Sequence, residues 1–173
     1  ADTQAMIETA KTHRHAVVIG GGLLGLEAAN GLMLRGMTVT VVHVAEWLMN
    51  RQLDDVAAGL LRQSLEDRGL KFRLGAHTQA LLDDGAGRVR AVRFQDGSEE
   101  LADLVVMAVG IRPNVKLAES MRLHCQHGIV VTDTLQTVTD ARIYAVGECA
   151  AHRGIAYGLV APLFEQARVA ANH

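Results

Sequence analysis

The chain has 173 residues, of which 49% are apolar and 21% charged, with a formal net charge of −2. This is enough apolar material for one or two small domains, and the near-neutral balance excludes the basic stripe of a nucleic-acid-binding surface. Aromatic residues make up 3%, too few for base-stacking platforms, and no apolar run reaches the ~18 residues that cross a bilayer.

Residues 2–12 read as a short helix, with Asp2 or Thr3 as its cap and an apolar stripe at Ala5, Met6, Ile7 and Ala10. Residues 15–19 read as a strand. It runs into Gly20-Gly21-Gly22-Leu23-Leu24-Gly25, which has the spacing G-x-G-x-x-G at Gly20, Gly22 and Gly25. A helix is expected over 23–35, stopped by Gly36, and a second strand over 38–42. Strand, glycine turn, helix and strand in this order are the context that a dinucleotide-binding fingerprint requires. In that reading Gly20 makes the sharp turn, Gly22 lets a pyrophosphate approach the backbone, and Gly25 lets the helix sit against the strand. The start of the helix offers unpaired N–H groups and a partial positive charge, which suit a diphosphate. Gly20, Gly22, Leu23, Leu24 and Gly25 are therefore expected to cradle a pyrophosphate through backbone N–H groups. The plainer alternative is a glycine turn that only packs; three consecutive glycines cost conformational entropy that such a turn does not need.

His43 ends the second strand, where NAD-specific domains place Asp or Glu on the ribose hydroxyls. A histidine can hydrogen-bond a ribose, or pair with a 2′-phosphate when protonated. Positions 44 and 45 hold no arginine, and Glu46 offers a carboxylate, so NADH is favoured over NADPH.

Residues 47–52 read as an irregular turn and 54–68 as a helix. Asp54 and Asp55 sit at its positive end, and Ala57, Leu60, Leu61 and Leu65 form the expected buried stripe. A short strand follows at 71–74. The pattern then changes to a β-meander at 78–82, 89–94 and 98–101, with turns at 83–87 and Asp96-Gly97. Residues 104–108 are apolar throughout, as in a strand buried on both faces. The last third holds a helical stretch at 115–121, a strand pair around 129–131, a strand at 143–146 ending at Gly147, and a helix from near Ala161 with Pro162 in its first turn.

Cys125 and Cys149 give neither a disulfide framework nor a C-x-x-C redox pair. His124-Cys125-Gln126-His127 and Cys149…His152 lack the paired spacing of a metal site, so no metal is expected. The chain opens without Met and without a basic-plus-apolar leader. It is read as a cytoplasmic piece of a longer protein.

Three landmarks now stand in order: 20–27, then Asp103-Leu104-Val105-Val106-Met107-Ala108-Val109-Gly110-Ile111-Arg112-Pro113-Asn114, then Ile143-Tyr144-Ala145-Val146-Gly147-Glu148. Together they resemble pyridine nucleotide-dependent flavoprotein reductases, in which an NAD(P)H domain is inserted into an FAD domain. The stretches 21–32, 47–54 and 147–160 narrow the resemblance to the large-subunit family of NAD(P)H-dependent nitrite reductases. The implied fold is α/β: a Rossmann-like βαβ domain with a parallel sheet and an inserted β-meander, plus a C-terminal segment of an FAD/NAD(P)-binding domain. The implied layout is a linker helix at 1–14, the NAD(P)H-binding domain at 15–112, and the returning part of the FAD domain at 113–173.

The resemblance implies that electrons pass from NAD(P)H through FAD, then through iron–sulfur and sirohaem centres, to nitrite, giving ammonia. The FAD glycine motif is expected before residue 1 and the metal centres after His173, with a small subunit as a further partner. The chain by itself is expected to bind nicotinamide dinucleotide and to do no nitrite chemistry. Glu27, placed in the first turn of its helix, would lie near nicotinamide and flavin; the alternative is a partner for the helix dipole. Ala108, Val109 and Gly110 would lie beside the nicotinamide or flavin; the alternative is an ordinary strand end before a proline turn. Gly147 is followed in the family by an Asp on the FAD ribityl chain. Glu148 stands there in this sequence and can still accept a hydroxyl hydrogen bond. Two other readings share the landmarks in whole or part: a fragment of a rubredoxin- or ferredoxin-reductase-like flavoprotein, and a non-catalytic nucleotide-sensing module.

Overall fold

The computed structural model describes residues 2–173. They form two compact units, the first ending at Val109 and the second being Gly110–His173.

The first unit opens with α1 (Asp2–Thr12), then β1 (His15–Ile19), α2 (Leu23–Met33), β2 (Thr38–Val42), α3 (Asp55–Glu66) and β3 (Lys71–Arg73). A meander follows, made of β4 (Thr78–Asp83), β5 (Val89–Phe94) and β6 (Glu99–Leu101), and the unit closes with β7 (Leu104–Met107). The parallel sheet has the order β3-β2-β1-β7, with Val18 opposite Val41 on one side and Val106 on the other. Alternation along β1 and β2 divides the core. Ala16, Val18, Val39 and Val41 face Leu26, Ala29 and Leu32 of α2 and Ala10 of α1. Val17, Ile19 and Val42 face Val92, Phe94 and Ala102 of the meander side. Helices thus cover one face and the antiparallel meander β4-β5-β6 the other, which is how a parallel sheet buries both sides.

Local chemistry sets the ends of these elements. The Asp54 carboxylate accepts from Ala57 N at 2.8 Å and caps α3. Asp103 Oδ2 accepts from Arg14 N at 3.0 Å and His15 N at 2.9 Å, tying the start of β1 to the start of β7.

Three expectations need correction in this unit. Helix α2 ends at Met33, two residues early, because Gly36 N and Met37 N already turn back to Met33 O and Leu32 O. Leu60 does not belong to the buried stripe of α3: it is 72% exposed, while Ala58 is buried and Leu61 and Leu65 pack on the core. Strand β7 packs on both faces, Leu104 and Val106 on the helix side and Val105 on the meander side, but it is only partly buried. It is an edge strand with β1 as its one neighbour, and Met107 is 65% exposed.

The second unit contains α4 (Lys116–Ser120), β8 (Ile129–Val131), β9 (Ala150–His152), β10 (Ile155–Ala156) and α5 (Val160–Asn172). The three strands form one sheet, β8 parallel to β9 and β9 antiparallel to β10. Val131, Leu135, Ala145 and Ala150 make its small core. Pro162 lies in the first turn of α5, as expected. The strand expected at 143–146 does not form. Those residues make a single bridge between Tyr144 and Gln136, through Thr137 N to Ile143 O at 2.8 Å and Ala145 N to Leu135 O at 3.1 Å, while Ile143 N turns back to Asp140 O at 3.1 Å. One isolated bridge does not make a ladder. The β9–β10 hairpin, by contrast, was not anticipated. It turns at Arg153-Gly154, both with positive φ (51° and 81°), the pairing that a two-residue type I′ turn demands. His152 and Arg153 both bond Asp133 across the unit. Among the described residues no helix is long and apolar enough to cross a membrane.

Candidate functional site

The carboxyl end of β1 is where the glycine turn leaves the sheet. Gly20 N donates to Val42 O at 2.8 Å, and Ala108 N donates to Ile19 O at 2.8 Å, so the turn is held between β2 and the end of β7. Gly20 has φ +120°, and a Cβ there would strike the Ala108 carbonyl. A Cβ on Gly25 would strike the Gly20 carbonyl and come within 3.4 Å of Ala108 Cβ. Gly20, Gly25 and Ala108 are therefore packed against one another. The protein's own backbone explains both glycines, without any ligand.

Gly21 is held differently. Its N–H donates to His43 Nδ1 at 3.2 Å, and its carbonyl accepts from Met49 N at 2.9 Å. A Cβ on Gly21 would lie 2.8 Å from Leu48 Cδ2 and 2.9 Å from His43 Cγ. The other ring nitrogen of His43, Nε2, faces Asn50 Oδ1 at 3.2 Å. Because Gly21 N–H is the donor, Nδ1 carries the lone pair and Nε2 carries the hydrogen.

Gly22 is the exception. It is the N-cap of α2, with φ −88° and ψ −176°, a backbone any residue adopts. A Cβ there would meet nothing within 4 Å. No side chain caps this helix, although its first-turn N–H groups have no intrahelical partners. Leu23 and Leu24, which follow, are exposed. An uncapped, unobstructed helix start at the carboxyl edge of a parallel sheet is a place where an anion meets main-chain donors and the positive end of the helix dipole.

The remaining expected residues are described by their own elements. Glu27 is exposed and is the fifth residue of α2, not part of its first turn. The dipole effect fades within one turn, so the dipole alternative loses its ground. Glu46 lies beyond β2, with its carboxylate against Gly75: a Cβ on Gly75 would come 2.9 Å from Glu46 Oε1. Val109 is exposed at the end of the first unit, and Gly110, with φ +106°, begins the second. Met49 and Asn50, which shape Gly21, were missed. They lie in the irregular 47–52 turn, within the stretch 47–54 that carried part of the family resemblance, but nothing in the sequence tied them to Gly21 or His43.

In the second unit, Gly147 has φ +91° and open space where a Cβ would stand. Its N–H donates to Gln166 Oε1 at 2.8 Å. Gln166, on α5, is 9% exposed. Its Nε2 is buried and has no hydrogen-bond partner among the described residues. Gln166 was also missed, since nothing local marks a mid-helix glutamine as the anchor of a distant turn. Glu148 is exposed directly after Gly147. Both cysteines are free thiols.

The pyridine nucleotide-disulphide oxidoreductase family matches residues 1–173, the whole sequence. The chain belongs to this family. Within it, the chain is 54% identical over 172 residues to the nitrite reductase [NAD(P)H] of Bacillus subtilis strain 168, covering 99% of this chain and 21% of that protein. It is 48% identical to the assimilatory nitrate reductase electron transfer subunit of the same organism, covering 99% of this chain and 22% of that one. Among solved structures, the ferredoxin reductase for the CYP199A2 system of Rhodopseudomonas palustris superposes with a TM-score of 0.90 at 30% identity, over 98% of this chain and 43% of that one. The chain thus spans about a fifth of the length of the two relatives from Bacillus. As a member of this family it has the expected α/β architecture, with a parallel sheet and a meander in the first unit.

Proposed function

We propose that the glycine turn holds the pyrophosphate of a nicotinamide dinucleotide, NADH in preference to NADPH, and that the chain is the electron-input part of a nitrite reductase large subunit. One observation carries the first half: Gly22 is a glycine that neither φ nor packing demands, at an uncapped helix start. A diphosphate gives it a reason. Gly20, Gly22, Leu23, Leu24 and Gly25 form the phosphate end. His43 and Glu46 mark the ribose end, and Glu27, Ala108 and Val109, with Gly110 next in the chain, the nicotinamide end. The preference for NADH rests on Val44 and Ala45, where a 2′-phosphate would call for a cation.

The likeness to the Bacillus nitrite reductase supports the second half. When bound, the nicotinamide supplies a hydride that FAD accepts, and iron–sulfur and sirohaem centres outside this chain complete the reduction of nitrite to ammonia. The residues of this chain bind and orient. Gly147 and Glu148 fit a flavin ribityl chain: the turn has room at Gly147, and the exposed Glu148 carboxylate can accept from a hydroxyl. We place the boundaries at 1–14 for a linker helix, 15–112 for the NAD(P)H domain and 113–173 for the returning part of the FAD domain. The exposed Leu117, Val160 and Phe164 support further chain covering the second unit. The rest of the FAD domain, the metal-centre domains and a small subunit are the proposed partners, in the cytoplasm.

The test is a fluorescence titration of the chain with NADH and with NADPH, beside the Gly22→Asp variant. NADH binding is expected to be tighter than NADPH binding and to vanish in the variant. Unchanged NADH affinity in Gly22→Asp would reject the site, and equal affinity for the two nucleotides would reject the preference. For the longer protein, NADH oxidation that depends on nitrite and yields ammonia is the expected activity.

A further inference from the structure

We propose that His43 is a positioning residue: its Nδ1 lone pair latches the Gly21 N–H, and the ring does not read the ribose itself. The proposal rests on the reading that the glycine turn binds a dinucleotide, and it reassigns what one residue of that site does.

Both polar groups of the Gly21 backbone are engaged from outside the turn, the N–H by His43 and the carbonyl by Met49 N. The orientation of this unit fixes where the next main-chain N–H groups point. The His43 ring packs flush against Gly21, with Cγ 2.9 Å and Cδ2 3.0 Å from where a Cβ would stand. Its second nitrogen is committed to Asn50. That contact requires hydrogen on Nε2 and so leaves Nδ1 free to accept. With both nitrogens used inside the protein, no ring atom remains for a ribose hydroxyl. Protonation to meet a 2′-phosphate would set the Nδ1 hydrogen against the Gly21 N–H, donor against donor. Asn50 therefore selects the tautomer, and the tautomer holds the turn.

Two isosteres separate a latch from a ribose reader. In Asn, Oδ1 stands where His carries Nδ1. In Gln, the terminal amide reaches to where His carries Nε2. The experiment uses the chain labelled with nitrogen-15. Imidazole correlation spectra report the tautomer of His43, amide exchange reports the protection of Gly21, and NADH titration reports affinity, for the wild type and for His43→Ala, His43→Asn and His43→Gln.

The Nε2–H tautomer is expected. Gly21 exchange should quicken about tenfold or more in His43→Ala and His43→Gln and be restored in His43→Asn, on the usual scale of a lost buried hydrogen bond. NADH affinity should fall about tenfold in the first two and be recovered most of the way by His43→Asn. Hydrogen on Nδ1, or Gly21 protection indifferent to all three substitutions, would overturn the latch. So would recovery of affinity by His43→Gln and not by His43→Asn. If the wild type fails to bind NADH, the dinucleotide reading falls alone, and the tautomer and the Gly21 exchange still decide the latch. If His43→Ala does not fold, the two polar variants and the wild-type tautomer carry the same decision.

Discussion

A β-carbon on Gly25 would fall upon the carbonyl oxygen of Gly20, whereas one on Gly22 would stand in open space. The two glycines therefore answer to different demands and should separate on mutation. Gly25→Ala forces a backbone shift and is expected to cost about 1–3 kcal/mol, as overpacking does. Gly22→Asp supplies the helix with a missing N-cap and a favourable charge, and is expected to be neutral or to add up to about 1 kcal/mol. On the proposed reading, the same substitution is expected to remove dinucleotide binding. Urea unfolding beside NADH titration tests the pair, and a Gly22→Asp protein as unstable as Gly25→Ala would mean that the turn needs Gly22 for folding.

Asp103 holds two backbone N–H groups with one oxygen. The hydrogen bond from His15 is the largest cause; burial opposes it, and the hydrogen bond from Arg14 adds to it, so that the carboxyl is held below the usual carboxylate range. A depressed value in the folded state means that the stabilisation is present above the unfolded value of about 4 and fades as pH falls through the folded one. Asp103→Ala should lower stability by about 1–2 kcal/mol at neutral pH and by less in acid. Asp103→Asn, which keeps an acceptor, should lose less. Unfolding midpoints at pH 7 and pH 3 check this, and an Asp103→Ala deficit that grows in acid would contradict it.

Thr40 is buried on the meander side of the sheet and donates to Glu100 Oε1 at 2.9 Å. Removing the two partners should not cost the same. Thr40→Val replaces the buried donor by an isosteric methyl and leaves Glu100, which is half-exposed, to water. Its expected effect is within about 0.5 kcal/mol of zero. Glu100→Ala strands a buried hydroxyl and should cost about 1–2 kcal/mol. Equal losses in thermal unfolding would show that the pair acts by something other than this bond.

Gln166→Met deletes both the acceptor that holds Gly147 and the unpaired Nε2. Losing a hydrogen bond of about 1 kcal/mol is offset by removing a buried donor without an acceptor. The stability of the chain should therefore change little, while exchange at the Gly147 amide quickens. Amide exchange at Gly147 and thermal unfolding check this, and a large loss of stability would show that Gln166 holds more than the one bond.

Much of the first unit was legible because its signals are local. The β-branched runs at 15–19 and 38–42 became β1 and β2 with the expected bounds, and the Asp/Gly turns of the meander fell where they were read. What failed depends on neighbours. An apolar run at 104–107 reports hydrophobicity but not that its strand stands at a sheet edge. The run at 143–146 is as strand-like in composition as β8, yet it makes only one isolated bridge, to the 135–137 turn. Ala150-Ala151-His152 forms β9 without strong β propensity, recruited by pairing with Ile129–Val131. At the site, the spacing of Gly20, Gly22 and Gly25 announced the turn. The part played by His43 was hidden, because its partners come from Gly21 and Asn50.

Gly21 is clasped on one side by an imidazole and on the other by the amide of Met49. A guest arriving at the hollow would therefore find it already set, with little disorder left to surrender on docking. On the proposed reading, a dinucleotide would then keep more of its contact energy as affinity, because less of it goes into ordering the site.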